Sequence, residues 1–414
     1  MPVFSGLRKN KMIFCKKQIL DNFDYMLLSL VGYNLVYNLA PIVMSKALYN
    51  GLELFFFIMF FVAFIKEKKS FVGLDTDIKI VLKMFIFWNA FVVLYSLLTE
   101  FNLRLIMLYV VQPTSFLIYV TPCFMLLKYD QHQIKKIVNW LFINIIIGLI
   151  SYFFLRNHIA VTSESEINIQ GSLSLYTYLN IAEFPSSCFM ASSFVFIYGN
   201  YDNKWKHRLL WVSLIIAVIA ALLLGRRSSA LIPISVLLAK VIFDFYHKPK
   251  MLLWIVVILF MIYNGYNYLE GKFLSTFIIF QERAFDNTRF WVEHDFFRDM
   301  NGLDYLFGRG SEGLVYSSEL GRRPIIETGY LNMILHGGVI YLLLYLYLLI
   351  ISAIRGFSSR NSLIVAMSFF ILIMIACLYP GGHLTFSINT FVLWLCVACC
   401  SSKRIRNNKN KLYL

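Results

Sequence analysis

The sequence is short of charged side chains, and of acidic ones in particular. Charged residues make up only 15% of the chain, against about 25% in an ordinary soluble domain. Hydrophobic residues make up 59% of the 414 positions, which is more than a soluble interior of this size can bury. This composition excludes a soluble globular domain, a disordered chain and a collagen-like chain, and it predicts an integral membrane protein.

The sequence also lacks the patterns of several other protein classes. The seven cysteines are odd in number and lie mostly in apolar runs, so they predict no disulfide framework. Cys396, Cys399 and Cys400 could share a helical face, but no His or acid stands beside them for a zinc site. No repeat and no cleavable signal peptide is visible. We therefore expect no metal and no other cofactor.

Apolar stretches near the length needed to cross a bilayer recur along the whole chain. They predict an all-α polytopic membrane protein in which residues 1–414 form a single integral membrane domain. About 12 transmembrane helices are expected, at about 24–42, 47–65, 80–98, 105–127, 137–155, 186–199, 209–224, 230–246, 251–268, 326–350, 362–379 and 385–400.

The basic residues indicate the orientation. With a cytoplasmic N-terminus, every inner loop is basic and most Lys and Arg lie inside, as the positive-inside rule requires. Both termini are then cytoplasmic, and most of the net charge of +15 is explained without nucleic acid. Nearly all outer basic residues are arginines, which bind phosphate or carboxylate through two donors. The alternative is that these arginines pair with acids of the outer loops.

Only two predicted outer loops are long, residues 156–186 and residues 270–325. The second is rich in Trp, Phe and Arg, so we expect it to be ordered. Some of its apolar residues recur at helical spacing, namely Phe285, Val292, Phe296 and Leu303. This spacing predicts an amphipathic helix lying at the outer membrane interface.

The first candidate motif is Leu224–Ala230, between two predicted helices that are joined almost without a loop. Arg226 and Arg227 lie at the mouth of this hairpin beside serine hydroxyls, which makes a compact anion site. Charged residues near membrane depth are functional candidates by default. The alternative is that both side chains extend toward the outer lipid headgroups.

The second motif, Gly308–Gly313, matches the pattern G-x-G-x-x-G. No preceding strand or βαβ unit is predicted, so we reject a dinucleotide-binding fold. Backbone amides of this turn facing an anion and a plain flexible turn both stay open. Earlier in the same loop Arg289 and Glu293 stand four residues apart, so a surface ion pair is the alternative role for Arg289.

The third motif runs from Arg322 and Arg323 into a predicted helix. Glu327 lies at the outer start of that helix, where the helix dipole favours a carboxylate. It is either a simple helix-start acid or a group that orients or deprotonates a sugar hydroxyl. His336 lies deeper, and a satisfied core histidine is the alternative to a substrate contact.

The order of these motifs resembles the bacterial O-antigen polymerase and ligase superfamily. The resemblance rests on a helical hairpin with an arginine, then Arg289–Trp291, Phe307–Gly310 and Glu327–Asn332 followed by a glycine pair. It covers roughly residues 209–350 by motif and the remainder by topology only.

The resemblance implies a GT-C-like polymerase/ligase fold and a glycosyltransferase of the bacterial cytoplasmic (inner) membrane. Its substrate would be an oligosaccharide linked to undecaprenyl diphosphate at the outer face. Arginines that handle the diphosphate would fall on Arg226 or Arg227 and on Arg289. The ligases carry a catalytic histidine where this sequence has Glu327, and this departure favours a polymerase while leaving the base open.

The sequence therefore predicts an enzyme that polymerises lipid-linked repeat units into O-antigen or a capsular or exopolysaccharide. Glu327, Arg289 and Arg227 are the candidate catalytic residues. Further candidate contacts to diphosphate or sugar are Arg226, Arg309, Arg322, Arg323 and His336. The expected partners are the polyprenyl-diphosphate-linked oligosaccharide, membrane lipid and a chain-length regulator protein.

Two alternatives stay open. A ligase would use the same donor but deliver the glycan to lipid A core. A flippase or transporter of lipid-linked oligosaccharides would also need cations for the diphosphate. Transporters, however, place their sites near the midplane between repeated halves, whereas the unusual residues here cluster at the predicted outer edge.

Overall fold

The structure of the protein is a computed structural model. It describes residues 20–43, 46–67, 69, 73–99, 118–159, 188–199, 201, 203–224, 227–247, 290–318, 321–324, 326, 328–379 and 386–407. These residues are mostly helical. Most of the predicted span at 105–127 and the whole span at 251–268 lie outside the described residues. The first long predicted loop, 156–186, is described only at residues 156–159, which are helical, and the rest of it lies outside the described residues.

The first half of the chain contributes long apolar helices. They are α1 (Asn22–Val43), α2 (Lys46–Lys66), α3 (Thr76–Thr99), a 3₁₀ helix (Thr121–Leu126), α4 (Gln131–Ile159), the short α5 (Ser193–Tyr198), α6 (Lys204–Leu224) and α7 (Arg227–His247). α6 ends at Leu224, α7 begins at Arg227, and the two helices contact each other, in agreement with the predicted tight hairpin.

The second half begins with a mixed segment and ends in helices. The mixed segment holds α8 (Phe290–Asp299), α9 (Gly302–Phe307) and an antiparallel hairpin of β1 (Val315–Ser317) and β2 (Gly321–Arg323). The helices that follow are α10 (Gly329–Phe357), α11 (Ser362–Leu378), α12 (Ile388–Ser401) and α13 (Lys403–Arg406). We call residues 290–328 the outer segment.

Several helices have the length and composition to cross a bilayer, for which about 20 apolar residues suffice. Among the described residues four do so, at Leu48–Lys66, Thr76–Thr99, Gln131–Phe154 and Gly329–Phe357. Two shorter apolar helices follow, Ser362–Leu378 and Ile388–Ser401. The chain is thus a helical membrane protein, with one small hairpin that the all-α prediction did not include.

Two predicted spans differ from the structure. The helix expected to reach residue 127 does not, because residues 118–120 form a turn and Thr121–Leu126 is a 3₁₀ helix with Pro122 in its first turn. Phe124 and Met125 are apolar because they are buried within the protein. Within the described part of the span expected at 186–199, residues 188–191 are helical, a turn follows at Ser192, and the six-residue α5 comes next with all of its residues buried.

The packing centre is α10, which contacts α3, α11 and α12. Its Tyr345 lies against Phe85 of α3 and Trp394 of α12, with ring centroids 6.2 and 5.8 Å apart. All three rings are almost completely buried. Aromatic packing between three helices therefore forms the middle of the described bundle.

Ion pairs and hydrogen bonds show how the helix ends are arranged. Near the end of α10, Arg355 binds Asp75 at 3.0 Å and Asp77 at 2.6 Å, at the start of α3. The other end of α3 contacts the outer segment, where the Ser311 amide donates to the Ser96 hydroxyl at 2.6 Å. Arg355 and the outer segment therefore lie at opposite ends of the bundle.

Candidate functional site

The outer segment is joined to the bundle at a break in α10. Gly338 has φ 76° and ψ 176°, so the helix is interrupted there. The carbonyl oxygens of Leu335 and His336 accept hydrogen bonds from the amides of Arg309 and Gly310, at 2.6 and 3.2 Å. The carbonyl of Gly337 accepts from the Trp88 indole at 2.8 Å. Three carbonyls before the interruption are thus satisfied by donors outside α10.

Two glycines of the G-x-G-x-x-G motif allow the outer segment to approach α10 and α3 closely. Gly308 and Gly310 have φ values of 76° and 84°. A Cβ atom at Gly308 would lie 2.5 Å from the His336 carbonyl, and one at Gly310 would collide with the Ser96 hydroxyl. Positive φ and close main-chain approach are the two conditions that favour glycine.

The amides of this motif do not face an open anion site. The amide of Gly308 donates to Asp304, those of Arg309 and Gly310 to α10, and that of Ser311 to Ser96. Of the two interpretations that the sequence left open, these contacts do not support amides that face an anion. The turn instead makes hydrogen bonds to two helices, α10 and α3.

The predicted amphipathic helix of this segment is divided in two. Asn301 caps α9 by accepting hydrogen bonds from the amides of Leu303 and Asp304, each at 3.0 Å. Phe296 of α8 is fully buried, whereas the Leu303 side chain is 69% exposed. The two residues therefore do not share one apolar face, because α8 ends before Asn301 and α9 begins after it as a separate helix. Phe285 lies outside the described residues.

Two carboxylates of α8 hold the hairpin in place. Asp295 accepts from the amide and hydroxyl of Ser318, at 2.8 and 2.7 Å, and Asp299 accepts from the Tyr316 amide at 3.1 Å. The two acids are four residues apart and so lie on one face of α8. Because Ser318 hydrogen-bonds to Asp295, the pKa of that carboxyl lies below its ordinary value.

Arg309 binds acids and carbonyls of its own segment. It contacts the carboxylates of Asp299 at 2.5 Å and Asp304 at 2.8 Å, and the carbonyls of Asp299 and Leu314 at 2.6 and 2.7 Å. Its Nε–H donates to Asp304 at 2.9 Å. All three guanidinium nitrogens are engaged, so we remove Arg309 from the candidate diphosphate ligands. The alternative role, pairing with acids of the outer loop, fits it instead.

These contacts also perturb titration. Burial raises the pKa of Asp299, but the hydrogen bond from Arg309 and the Tyr316 amide outweigh it, so the pKa lies below the ordinary value. Burial lowers the pKa of Arg309, yet the two carboxylates raise it overall. Both charges therefore persist at neutral pH and stabilise the fold of the segment.

An open pocket of about 590 Å³ lies beside this cluster and is called the outer pocket. Its lining comes from the end of α3 and from the outer segment, and comprises Tyr95, Thr99, Asp299, Arg309, Leu314, Tyr316 and Arg322. The pocket thus offers one cluster of fixed charges, two phenol rings and a threonine hydroxyl at the predicted outer face.

Arg322 is the cation of this pocket that can bind a ligand. It lies opposite Tyr316 in the hairpin register, so the two side chains lie on the same face. Its side chain is exposed, and it makes no hydrogen bond or ion pair with any residue in the part of the chain that is described. An arginine in this state keeps its full set of donors for an incoming anion.

Four of the remaining predicted site residues lie wholly or partly outside the described part of the chain. Arg226, Arg289 and Glu327 lie outside the described residues. Arg227 is the first residue of α7, and its side chain is also outside the description. The helix after the loop begins at Gly329, two residues later than Glu327.

Two further candidates are described. Arg323 follows Arg322 on β2, is half-buried, and pairs in register with the buried Val315. His336 is half-buried, and its Nδ1 lies 3.0 Å from the Gly310 carbonyl. This contact belongs to the joint between α10 and the outer segment, and it favours the core-histidine role over a substrate contact.

The sequence analysis missed Tyr95, Thr99 and Tyr316 as lining residues of the outer pocket. Tyr95 and Thr99 lie four residues apart at the end of an apolar span, where they read as ordinary helix-end residues. The hairpin did leave a signal in the sequence, because Val315 and Tyr316 are strand-forming residue types and are followed by Ser317, Ser318 and Gly321, which are typical of a turn. No family model, curated protein or solved structure matches the chain.

Proposed function

We propose that the chain is a glycosyltransferase that polymerises oligosaccharide repeat units carried on a polyprenyl diphosphate. The product would be an O-antigen or a capsular or exopolysaccharide, made at the outer face of the bacterial inner membrane. The observation that carries the proposal is the outer pocket, in which exposed Arg322 stands beside Tyr316 and Tyr95. The motif resemblance supplies the reaction class.

The lining suits a charged glycolipid. A guanidinium group binds phosphate oxygens through two parallel hydrogen bonds, and aromatic rings offer a flat apolar surface to a sugar. Thr99 adds a hydroxyl that can donate or accept. Because Arg309 and Asp299 are tied to each other, they fix the wall of the pocket while Arg322 contacts the ligand.

The chemistry assigns two further tasks. Departure of the diphosphate needs cations positioned where charge develops, and we propose Arg226, Arg227 and Arg289 together with Arg322 for this task. The acceptor hydroxyl needs a group that orients or deprotonates it, and we propose Glu327. Arg323 would support the hairpin that presents Arg322.

The proposed architecture has about twelve spans in a GT-C-like polymerase/ligase arrangement with both termini in the cytoplasm. The lipid-linked substrate would reach the outer pocket laterally from the bilayer. A chain-length regulator protein is the proposed protein partner.

The test is complementation of a strain that lacks the chain, with surface glycan length measured on gels. Loss of a polymerase leaves single repeat units on the surface lipid. Loss of a ligase leaves polymer on its carrier, and loss of a transporter leaves repeat units inside the cell. Either of the last two patterns would overturn the proposed reaction.

The site is tested in the same strain with Arg322→Ala. A hydrogen-bonded charge pair is worth about 1.5–3 kcal/mol, so we expect chain growth to slow by about tenfold to a hundredfold at normal protein level. Arg298→Ala is the matched control, since Arg298 is an exposed arginine of α8 outside the outer pocket. Equal polymer length in both variants would remove Arg322 from the site.

A further inference from the structure

A second pocket lies at the opposite end of the bundle, where α10 gives way to α11. It has a volume of about 530 Å³, and we call it the inner pocket. Its charged lining is Arg355, Arg360 and Arg406, and Ile354 and Ser358 contribute beside them. It shares no residue with the outer pocket and needs no assumption about the enzyme reaction.

Two of the three arginines are held rigidly and one is not. Arg355 is fixed by Asp75 and Asp77, and Arg406 binds Asp75 at 2.8 Å. Arg360 is exposed and makes no hydrogen bond or ion pair within the described ranges. Three cations therefore meet two anions, and the excess positive charge is carried by an arginine whose donors face solvent.

An apolar stripe on α10 leads directly to this pocket. Leu343, Tyr347, Ile350 and Ile354 are spaced by four, three and four residues, which places them on one face of the helix. Their side chains are exposed, from 39% for Tyr347 to 61% for Leu343. Ile354 belongs both to this stripe and to the lining of the inner pocket.

The length of the stripe matches one leaflet of a bilayer. Eleven residues separate Leu343 from Ile354, which is about 16 Å along a helix at 1.5 Å per residue. The hydrocarbon core is about 30 Å thick, so the stripe spans roughly half of it. The cationic pocket then lies at headgroup depth, where a phosphate group and an acyl chain meet.

We propose that the inner pocket and this stripe form a binding site for an anionic phospholipid of the inner leaflet. The headgroup phosphate would bind Arg360 together with the free donors of Arg355 and Arg406, and the Ser358 hydroxyl lies beside them. One acyl chain would lie along the stripe from Ile354 toward Leu343.

A bound lipid must be distinguished from a general attraction of basic residues to an anionic membrane surface. Lys403 and Arg404 on α13 are exposed and near this face, but neither lines the inner pocket. A diffuse effect depends on total charge, so it is equally sensitive to loss of Arg360 or Arg404. A defined site is sensitive to Arg360 alone.

The experiment measures lipid occupancy of the purified full chain in detergent by native mass spectrometry. The probes are long-chain phosphatidylglycerol, its six-carbon analogue, phosphatidylcholine and soluble glycerol phosphate. The variants are Arg360→Gln and its charge-matched control Arg404→Gln. Because Arg360 has no described partner, the variant is expected to keep the thermal midpoint of the wild type, which is measured in parallel.

We expect long-chain phosphatidylglycerol to bind about tenfold more tightly than phosphatidylcholine, and Arg360→Gln to lose about that factor. Arg404→Gln should stay within about twofold of the wild type, and the six-carbon analogue should bind more weakly than the long-chain lipid. Equal losses in the two variants would reduce the site to diffuse surface charge. Displacement of the lipid by an equal concentration of glycerol phosphate would show a phosphate-ester site without a lipid component.

Discussion

Replacing Gly338 by alanine tests the joint between α10 and the outer segment. At φ 76° and ψ 176° the residue lies in a region that is essentially restricted to glycine, and a side chain there costs about 1–3 kcal/mol. A Cβ atom would also collide with the Leu306 carbonyl oxygen and lie 2.7 Å from the Phe307 amide nitrogen. Both contacts are with main chain, so α9 must move away.

The magnitude follows from what that movement breaks. Moving α9 separates the amides of Arg309 and Gly310 from the α10 carbonyls, and each hydrogen bond contributes about 1 kcal/mol. Together with the backbone strain, we expect a local loss of about 3 kcal/mol or more. At about 1.4 kcal/mol per factor of ten, opening of the joint becomes at least about a hundredfold more frequent.

The assay is hydrogen–deuterium exchange of peptides that cover residues 303–316, with two glycine controls. At Gly321, φ is 69° but no atom lies within 4 Å of the added Cβ, so Gly321→Ala isolates backbone strain. At Gly302 no atom lies within 4 Å either, and the residue is helical, so Gly302→Ala carries neither effect. We expect protection to fall most for Gly338→Ala and to be unchanged for Gly302→Ala.

The refuting result is equally specific. If Gly338→Ala exchanges no faster at residues 303–316 than Gly321→Ala does, main-chain contact with Leu306 does not hold the joint. Helical content measured by circular dichroism serves as the check that the bundle itself stays folded in all three variants.

Two further predictions concern the same segment. Trp88→Phe keeps an aromatic ring against Phe307 but leaves the Gly337 carbonyl without its donor, so we expect the free energy of unfolding to fall by about 1–3 kcal/mol. The thermal midpoint measures this loss, and Trp205→Phe, at an exposed tryptophan, is the control. Equal midpoints in the two variants would contradict the prediction. Because the pKa of Asp299 is lowered, its ionised form stabilises the segment above its ordinary pKa of about 3.9, and this stability is lost as pH falls through the lowered pKa. The midpoint of the wild type should exceed that of Asp299→Asn at pH 7, with the gap closing in acid, and a pH-independent gap would contradict the ionic role.

The helices were predictable because the bilayer imposes a simple requirement. A spanning helix needs about 20 apolar residues, and the runs at 24–42, 47–65 and 80–98 correspond to α1, α2 and α3 within a few residues. Hydropathy predicts a spanning helix wrongly where residues are apolar because they are buried inside the protein and not in lipid. Phe124 and Met125 are apolar for that reason, although they lie in a 3₁₀ helix.

The candidate site was predictable only in part, because local pattern does not show tertiary partners. The sequence singled out the arginines of the predicted outer loops as a group, yet Arg309 and Arg322 carry the same charge and have opposite surroundings. Arg309 is enclosed by Asp299 and Asp304, which are ten and five residues away in the sequence. The sequence spacing does not show that Arg309 binds these two acids. The fold of residues 299–309 brings the three side chains together.

The interruption at Gly338 has a consequence for how the sequence can change over time. Leu306–Gly310 and Leu335–Gly338 touch through main chain, so a side chain added to either cannot be accommodated by a smaller neighbour opposite. We therefore expect a substitution at Gly308, Gly310 or Gly338 to disturb both segments together, whatever the length of the loop between them. The geometry at this joint thus constrains the three glycines jointly, and this constraint is independent of what the protein does.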